Sequence, residues 1–322
     1  MTSSRSVAPQ REGRIGGEMR MRSSVNRIAG SRCWAGVCAA AVMLVSAPLA
    51  AKAPSPFTEG LLWRIAKRGT PDSYAFGTLH IPDPRVGIAP PVADALARSR
   101  TLALELVVGV VDERVFELEQ LPDGRRLEAL IGDAAFTQVR VELAAQDVPG
   151  RVIERMKPWA AMIRVARMAP REGGASLDQQ LLAAARARRL RVEPLELVEE
   201  QIAAFDAVPA ETQVALLKLA LAERAALEAG AERTIRAWLR GDLAELARLN
   251  AGSHDRFSEM DRHHKVLTTH LIHDRNVVMH HRLVMPLRTG RVFIAVGALH
   301  LHGEKGLLAL IARDGYRVTR LH

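Results

Sequence analysis

Cysteine is nearly absent from this 322-residue chain, and both copies, Cys33 and Cys38, stand close to the N-terminus. From residue 54 onward there is none, which excludes disulfides, thiolate metal sites and a cysteine nucleophile from most of the chain. Aromatic residues are scarce at 4%, yet hydrophobic residues reach 48%, so the core must be built from small and aliphatic side chains. Abundant Ala, Leu and Arg favour helices for much of it. Several familiar enzyme signatures are missing: no HExxH zinc helix, no GxSxG elbow, no Walker loop and no GxGxxG. Nor is there a tandem repeat or a low-complexity linker, so one continuous domain is expected.

The formal net charge of +9 suggests an anionic partner at first. Its distribution removes that reading. Residues 1–53 carry eight Lys/Arg against two Asp/Glu, a net of +6. Residues 54–322 are left with 37 against 34, or +3, an ordinary mixed surface that does not call for nucleic acid. The basic N-terminal segment has its own logic. Arg20, Arg22, Arg27 and Arg32 precede an uncharged, largely apolar run from Cys33 to Ala51, and Ala51-Lys52-Ala53 follows with small residues. That is the pattern of a secretory leader over 1–53, with Met19 and Met21 as alternative starts. Pro54 disfavours cleavage directly after Ala53, so the cut falls earlier or the leader stays as an anchor of about 19 residues, just long enough to span a bilayer. Either way the rest, 54–322, is expected outside the cytoplasm, periplasmic or secreted, with no other membrane attachment.

Along the chain, Leu61 to Ile65, a Gly/Pro turn at Lys67 to Asp72, and Ser73 to Gly77 read as a β-hairpin. Ile81-Pro82-Asp83-Pro84 is an irregular loop, and Pro90-Pro91 opens a short helix. Thr101 to Val108 reads as a strand that carries Glu105, either a buried carboxylate needing a partner or a water-facing residue on a sheet edge. A helix-rich insertion spans about 112–288. It includes a loop at Arg171 to Gly174, a helix from Leu177 to Leu190, a short strand from Arg191 to Leu197 and a long helix from Asp255 to about Leu287. A strand, loop, helix and strand close the chain. The fold class is therefore α/β with an α+β character: a single domain with a central mixed sheet.

Two stretches look like copies of one device. Tyr74-Ala75-Phe76-Gly77-Thr78-Leu79-His80 and Ile294-Ala295-Val296-Gly297-Ala298-Leu299-His300 each end an apolar strand with Gly-x-x-His. Composition alone would produce about one such tetrapeptide. What raises the signal is their shared context at strand ends, where open α/β sheets bind ligands. Gly77 and Gly297 allow a sharp turn and close approach, and imidazole is both the commonest metal ligand and a base near neutral pH. With Glu105 as a hard oxygen donor, His80 and His300 would suit a divalent ion such as Mn, Co, Fe or Zn. Two alternatives stay open at this point. The histidines could be hydrogen-bonded core residues, or the long helix could hold the metal instead, since His263 and His270, and His273 and His280, are each seven residues apart. His302 belongs at the rim.

The motifs taken together resemble the TraB/GumN family, which is related to the Tiki membrane proteases. The resemblance rests on the two Gly-x-x-His segments, Leu104-Glu105, Leu177-Asp178, Glu193-Pro194-Leu195-Glu196, Glu200-Gln201, Asp274-Arg275-Asn276, Gly306-Leu307-Leu308 and Gly315 to Val318. It implies a metal-dependent hydrolase fold. It implies metal binding at His80, His300 and Glu105, with Glu105, Glu196, Arg275 and Asn276 in catalytic or supporting positions. Arg275 would pair with a carboxylate or with developing oxyanion charge. Tiki-type members act as proteases, but the resemblance supplies no substrate for most bacterial members; a peptide or small-molecule substrate is expected. Two departures bear on substrate: Leu197 stands where the family often has threonine, and extra histidines crowd the long helix. A binding module for a peptide or polysaccharide-related factor, using the same pocket without catalysis, is the alternative.

Overall fold

Apolar runs with almost no alternation, such as Val292 to Gly297, are what a strand buried on both faces requires. The computed structural model bears this out: every residue of that strand is buried. The structure describes residues 56–107, 113–166, 175–252 and 258–322. The expected leader with its two cysteines and the loop at Arg171 to Gly174 lie outside the described residues.

In chain order the elements are β1 (Leu62–Lys67), β2 (Thr70–Thr78), α1 (Pro90–Ala97), β3 (Thr101–Leu104), α2 (Glu113–Leu118), α3 (Leu127–Ile131), α4 (Asp133–Ala144), α5 (Gly150–Arg155) and α6 (Pro158–Ala166). After these come α7 (Leu177–Ala187), β4 (Arg191–Pro194), α8 (Val198–Asp206), α9 (Ala210–Ala222), α10 (Arg224–Leu239), α11 (Leu243–Ala251) and α12 (Ser258–Thr268). A π-helical turn (Thr269–Asp274) joins α12 to α13 (Arg275–Thr289), and β5 (Val292–Gly297), a 3-10 turn (Ala298–His300), α14 (Leu307–Arg313) and β6 (Arg317–Arg320) complete the chain. The class is mixed α/β in a single domain, with a six-stranded sheet of order β4-β3-β5-β2-β1-β6.

The four strands β4, β3, β5 and β2 run parallel, whereas β1 pairs antiparallel with both β2 and β6. The hairpin expected at the start of the domain is β1–β2. The last long strand, β5, inserts between β3 and β2, with Thr78 opposite Gly297 and Leu104 opposite Ala295. So all four parallel strands deliver their carboxyl ends to one edge of the sheet. Register beyond the strands holds too: Leu195 N–H donates to Leu104 O at 2.7 Å and Glu196 N–H to Glu105 O at 3.0 Å.

Two apolar clusters support this arrangement. One covers the sheet, with Phe76 and Phe293 in contact across β2 and β5 at 6.3 Å, and α13 laying Met279, Leu283 and Leu287 against it. Leu243, Leu246 and Leu249 of α11 are buried in the same cluster, as their spacing predicts. The other lies within the helical insertion, where Trp159 stacks on Phe205 at 4.7 Å among Leu, Ile, Val and Met side chains. The segment from α12 to α13 bridges the two, since Leu267 and Leu271 belong to the insertion's core and Met279 to that of the sheet. The single long helix expected from Asp255 to about Leu287 is in fact interrupted by the π-turn directly before Arg275. Such turns insert an extra residue and re-aim the side chains of the next helical turn.

Candidate functional site

The two Gly-x-x-His turns touch each other. A β-carbon on Gly77 would lie 3.0 Å from Ala298 Cα and 3.2 Å from Leu301 Cδ1, so the first glycine makes room for the second turn. The Gly77 carbonyl is held from the other side by the indole N–H of Trp238 at 2.9 Å. Gly297 plays a different part. A β-carbon there would lie 3.3 Å from Glu105 Oε1, 3.6 Å from His80 Nε2 and 3.7 Å from His300 Cδ2. Three of the expected site residues thus surround one small space that exists because residue 297 has no side chain.

Each of those side chains comes from a different parallel strand. His80 follows β2 by two residues, Glu105 follows β3 by one, and His300 ends the 3-10 turn after β5. Glu196 follows β4 by two and joins them from the sheet's edge. Glu105 is only 4% exposed on a strand enclosed by β4 and β5, so the water-facing alternative does not hold. One Glu105 oxygen accepts the Gly297 N–H at 2.5 Å. The other accepts from Arg275 Nη2 at 2.7 Å.

Arg275 is the hub. Its Nε donates to Glu196 Oε2 at 2.9 Å, its Nη2 also pairs with Glu196 Oε1, and its Nη1 donates to the Leu271 carbonyl at 2.9 Å. A planar guanidinium can serve two carboxylates and a π-turn carbonyl at once, which an ammonium cannot. The cost of burying these charges is shared through a connected network, where loss of one member would leave the others unpaired. Gln201 Nε2 adds a bond to Glu196 Oε1 at 3.2 Å.

Electrostatics separates the four titratable groups. Burial opposes the Glu105 charge, but His300, Arg275 and His80 around it and the Gly297 N–H hold its carboxyl well below the usual carboxylate range. Burial pushes Glu196 up, against the pull of Arg275 and with the help of the Glu105 charge. His300 is lowered to about 3, mainly by burial, with Arg275 adding to the effect and Glu105 opposing it. Burial works against the charge of His80 as well, yet Asp178, and to a lesser degree Glu105, raise it to about 9.

Each imidazole has an oxygen close to Nδ1, in a hydrogen bond for His300 and in an ion-pair contact for His80. His300 Nδ1 is 2.8 Å from Asn276 Oδ1, and Asn276 Nδ2 donates to the Lys305 carbonyl at 2.9 Å. His80 Nδ1 is 2.6 Å from Asp178 Oδ2, at the first turn of α7. Asn276 is fully buried and acts through His300. Asp178 stood in the sequence as part of the Leu177-Asp178 motif that opens a helix, with no task assigned to it, at a position where carboxylates are common for other reasons. In both rings Nε2 is buried and has no hydrogen-bond partner, and His300 Nε2 stands 3.8 Å from Glu105 Oε1.

Two buried imidazole nitrogens without partners, beside a carboxylate oxygen and over a glycine that leaves space, are donors whose chemistry fits a divalent ion. Among the described residues, no three His, Cys, Asp or Glu side chains already close into a metal cage. Among the described residues the rival site on the long helix does not form either: three of its histidines have separate partners, and His273 Nδ1 is buried without a hydrogen bond. His263 meets Thr212 at 2.8 Å, His270 meets Asp274 at 3.1 Å, and His280 meets Asp314 at 2.9 Å.

Among the described residues no helix is long and apolar enough to cross a membrane. Neither the curated proteins nor the solved structures contain a significant match to the chain. The family model of the TraB/PrgY/gumN family matches residues 61–320, from the entry to β1 through the end of β6, and so encloses every site residue described above. With the sheet and all the motif residues inside that match, the chain belongs to the TraB/PrgY/gumN family.

Proposed function

We propose that the protein is an exported, metal-dependent hydrolase that cleaves a peptide or related amide bond. The observation that carries this reading is the pair of buried, unpartnered Nε2 atoms of His80 and His300 facing Glu105 across Gly297. His80, His300 and Glu105 would hold the ion. A divalent ion bound by such donors acidifies water and polarises a carbonyl. Arg275 fixes Glu105 and Glu196 in place and offsets their charge. Glu196, whose proton burial favours against the pull of Arg275, is the carboxyl of the pair better suited to carry a proton. Asn276 keeps the His300 ring turned so that Nε2 faces the space. The basic segment and apolar run that precede the domain support export.

Elemental analysis of the purified protein tests the reading. Roughly one divalent ion per chain is expected, lost in His80→Ala and in His300→Ala. Full metal content in either variant overturns the ligand assignment. A second reading, a non-catalytic module that binds a peptide or polysaccharide-related factor, is favoured by one observation: Arg275 already pairs with both carboxylates. A metal-free protein that binds such a ligand, and loses it when Arg275 is replaced, would select that alternative.

A further inference from the structure

Each motif histidine has a side-chain oxygen close to its Nδ1, on groups of different charge. Asn276 is neutral, and Asp178 is an anion whose second oxygen accepts from Thr78 Oγ1 at 3.1 Å. Thr78 is the last residue of β2 and belongs to the same Gly-x-x-His turn as His80. The turn therefore orients the very carboxylate that holds its own histidine. Asp178 reaches this place from the start of α7, where Ser176 caps the helix through a reciprocal pair with Gln179 and so fixes the first turn. Asp178 is 18% exposed in its side chain and His80 6%, against 2% for His300, which puts this pair on the more open side of the site.

We infer that Asp178 is a positioning residue for His80: clamped by Thr78, it fixes the ring through Nδ1, aims Nε2 over Gly297, and makes His80 the stronger electron donor of the two histidines. Carboxylates placed behind a ligating imidazole fix its orientation and raise its basicity, and their loss weakens metal affinity roughly 10–100-fold. Asn276 can orient His300 but brings no charge. The proposal assigns to Asp178 a task outside the substrate-contacting groups, and it rests on the metallohydrolase reading above.

The test uses the intact protein freed of metal, titrated with Co(II) and with Zn(II), in wild type, Asp178→Asn, Thr78→Val and His80→Ala. Asp178→Asn is expected to weaken both ions roughly 10–100-fold while urea unfolding remains cooperative. Thr78→Val, which leaves Asp178 in place but loosens it, is expected to weaken them roughly 2–10-fold. It keeps the test alive if Asp178→Asn does not fold. A second readout needs no metal. In the apo protein with ¹⁵N-labelled histidine, the His80 Nδ1–H resonance should lie far downfield, and Asp178→Asn should displace it while leaving that of His300 unmoved. Affinities within twofold of wild type in both variants overturn the inference. If His80→Ala binds metal as well as wild type, the metal reading falls by itself. The resonance then decides the clamp: displacement upholds it and an unmoved signal overturns it.

Discussion

The two Gly-x-x-His turns have nearly the same sequence and lie side by side on adjacent parallel strands, yet their histidines end up at opposite ends of the titration range. His80 is raised to about 9 beside an aspartate, and His300 is lowered to about 3 beside an asparagine, deep against Arg275. Their glycines differ in the same way. Gly77 gives way to backbone of the other turn, and Gly297 gives way to the side chains of the site. A repeated motif therefore fixes only where a ring is placed. What the ring can do is set by its surroundings: burial works against the charge of both, and Asp178 overcomes it at His80 whereas Arg275 reinforces it at His300.

The largest effect expected from breaking this arrangement is at Arg275, which stands between the two halves. Arg275→Met leaves Glu105 and Glu196 buried together without their counter-ion and should destabilise the fold by about 3–5 kcal/mol, read from urea unfolding. The same variant should raise the His300 value, since Arg275 helps to hold it down.

Next comes pH. His80 has a folded value raised from 6.5 to about 9, so its contribution is whole below about 6.5 and is lost as pH rises through 9. His300 has a folded value depressed from 6.5 to about 3, so its contribution is whole above about 6.5 and is lost as pH falls toward 3. In the metal-free protein the alkaline limb is on the order of 3 kcal/mol and the acid limb on the order of 5 kcal/mol. Unfolding measured across this range should show His80→Gln flattening the alkaline limb and His300→Gln flattening the part of the acid limb that does not belong to Glu105.

Smaller, and sharper as a comparison, are the glycines. Gly77→Ala pushes a methyl onto the Ala298 backbone and should cost about 1–3 kcal/mol in thermal or urea unfolding. Gly297→Ala meets side-chain atoms at 3.3 Å or more, and its backbone, at φ −50°, suits alanine. It should cost less in unfolding than Gly77→Ala and, on the proposed metal reading, should reduce metal content because the methyl occupies the space between the donors. Equal losses of stability at both positions would remove the distinction between them.

Much of this was legible beforehand. The hairpin, the buried last strand and the helical middle follow from periodicity and from Gly/Pro punctuation, which are local. Both histidines and Glu105 were found because each ends or interrupts an apolar run, a local anomaly with a physical cost. The features that escaped depend on contacts distant in the chain. Asp178 meets His80 from 98 residues away and looks like any first-turn acid. Asn276 could be named from its motif but not given the task of holding His300. The π-turn has no compositional mark, since Thr269 to Asp274 continues a helical pattern, and only its effect on the aim of Arg275 reveals it. The strand ends were also set too late: β3 stops at Leu104 and β4 at Pro194, although the bond from Glu196 N–H to Glu105 O carries the pairing one step further while both side chains meet Arg275.

The central place of β5 has a consequence for how the molecule comes into being. That strand follows β1 to β4 in the chain, yet it joins β3 to β2 in the middle of the sheet. A growing chain that stops before Val292 holds two separate half-sheets and lacks the link between them. Pairings of such long sequence separation form late and slowly. Until β5 has been made, then, the strand ends that carry His80, Glu105 and His300 have no frame on which to meet.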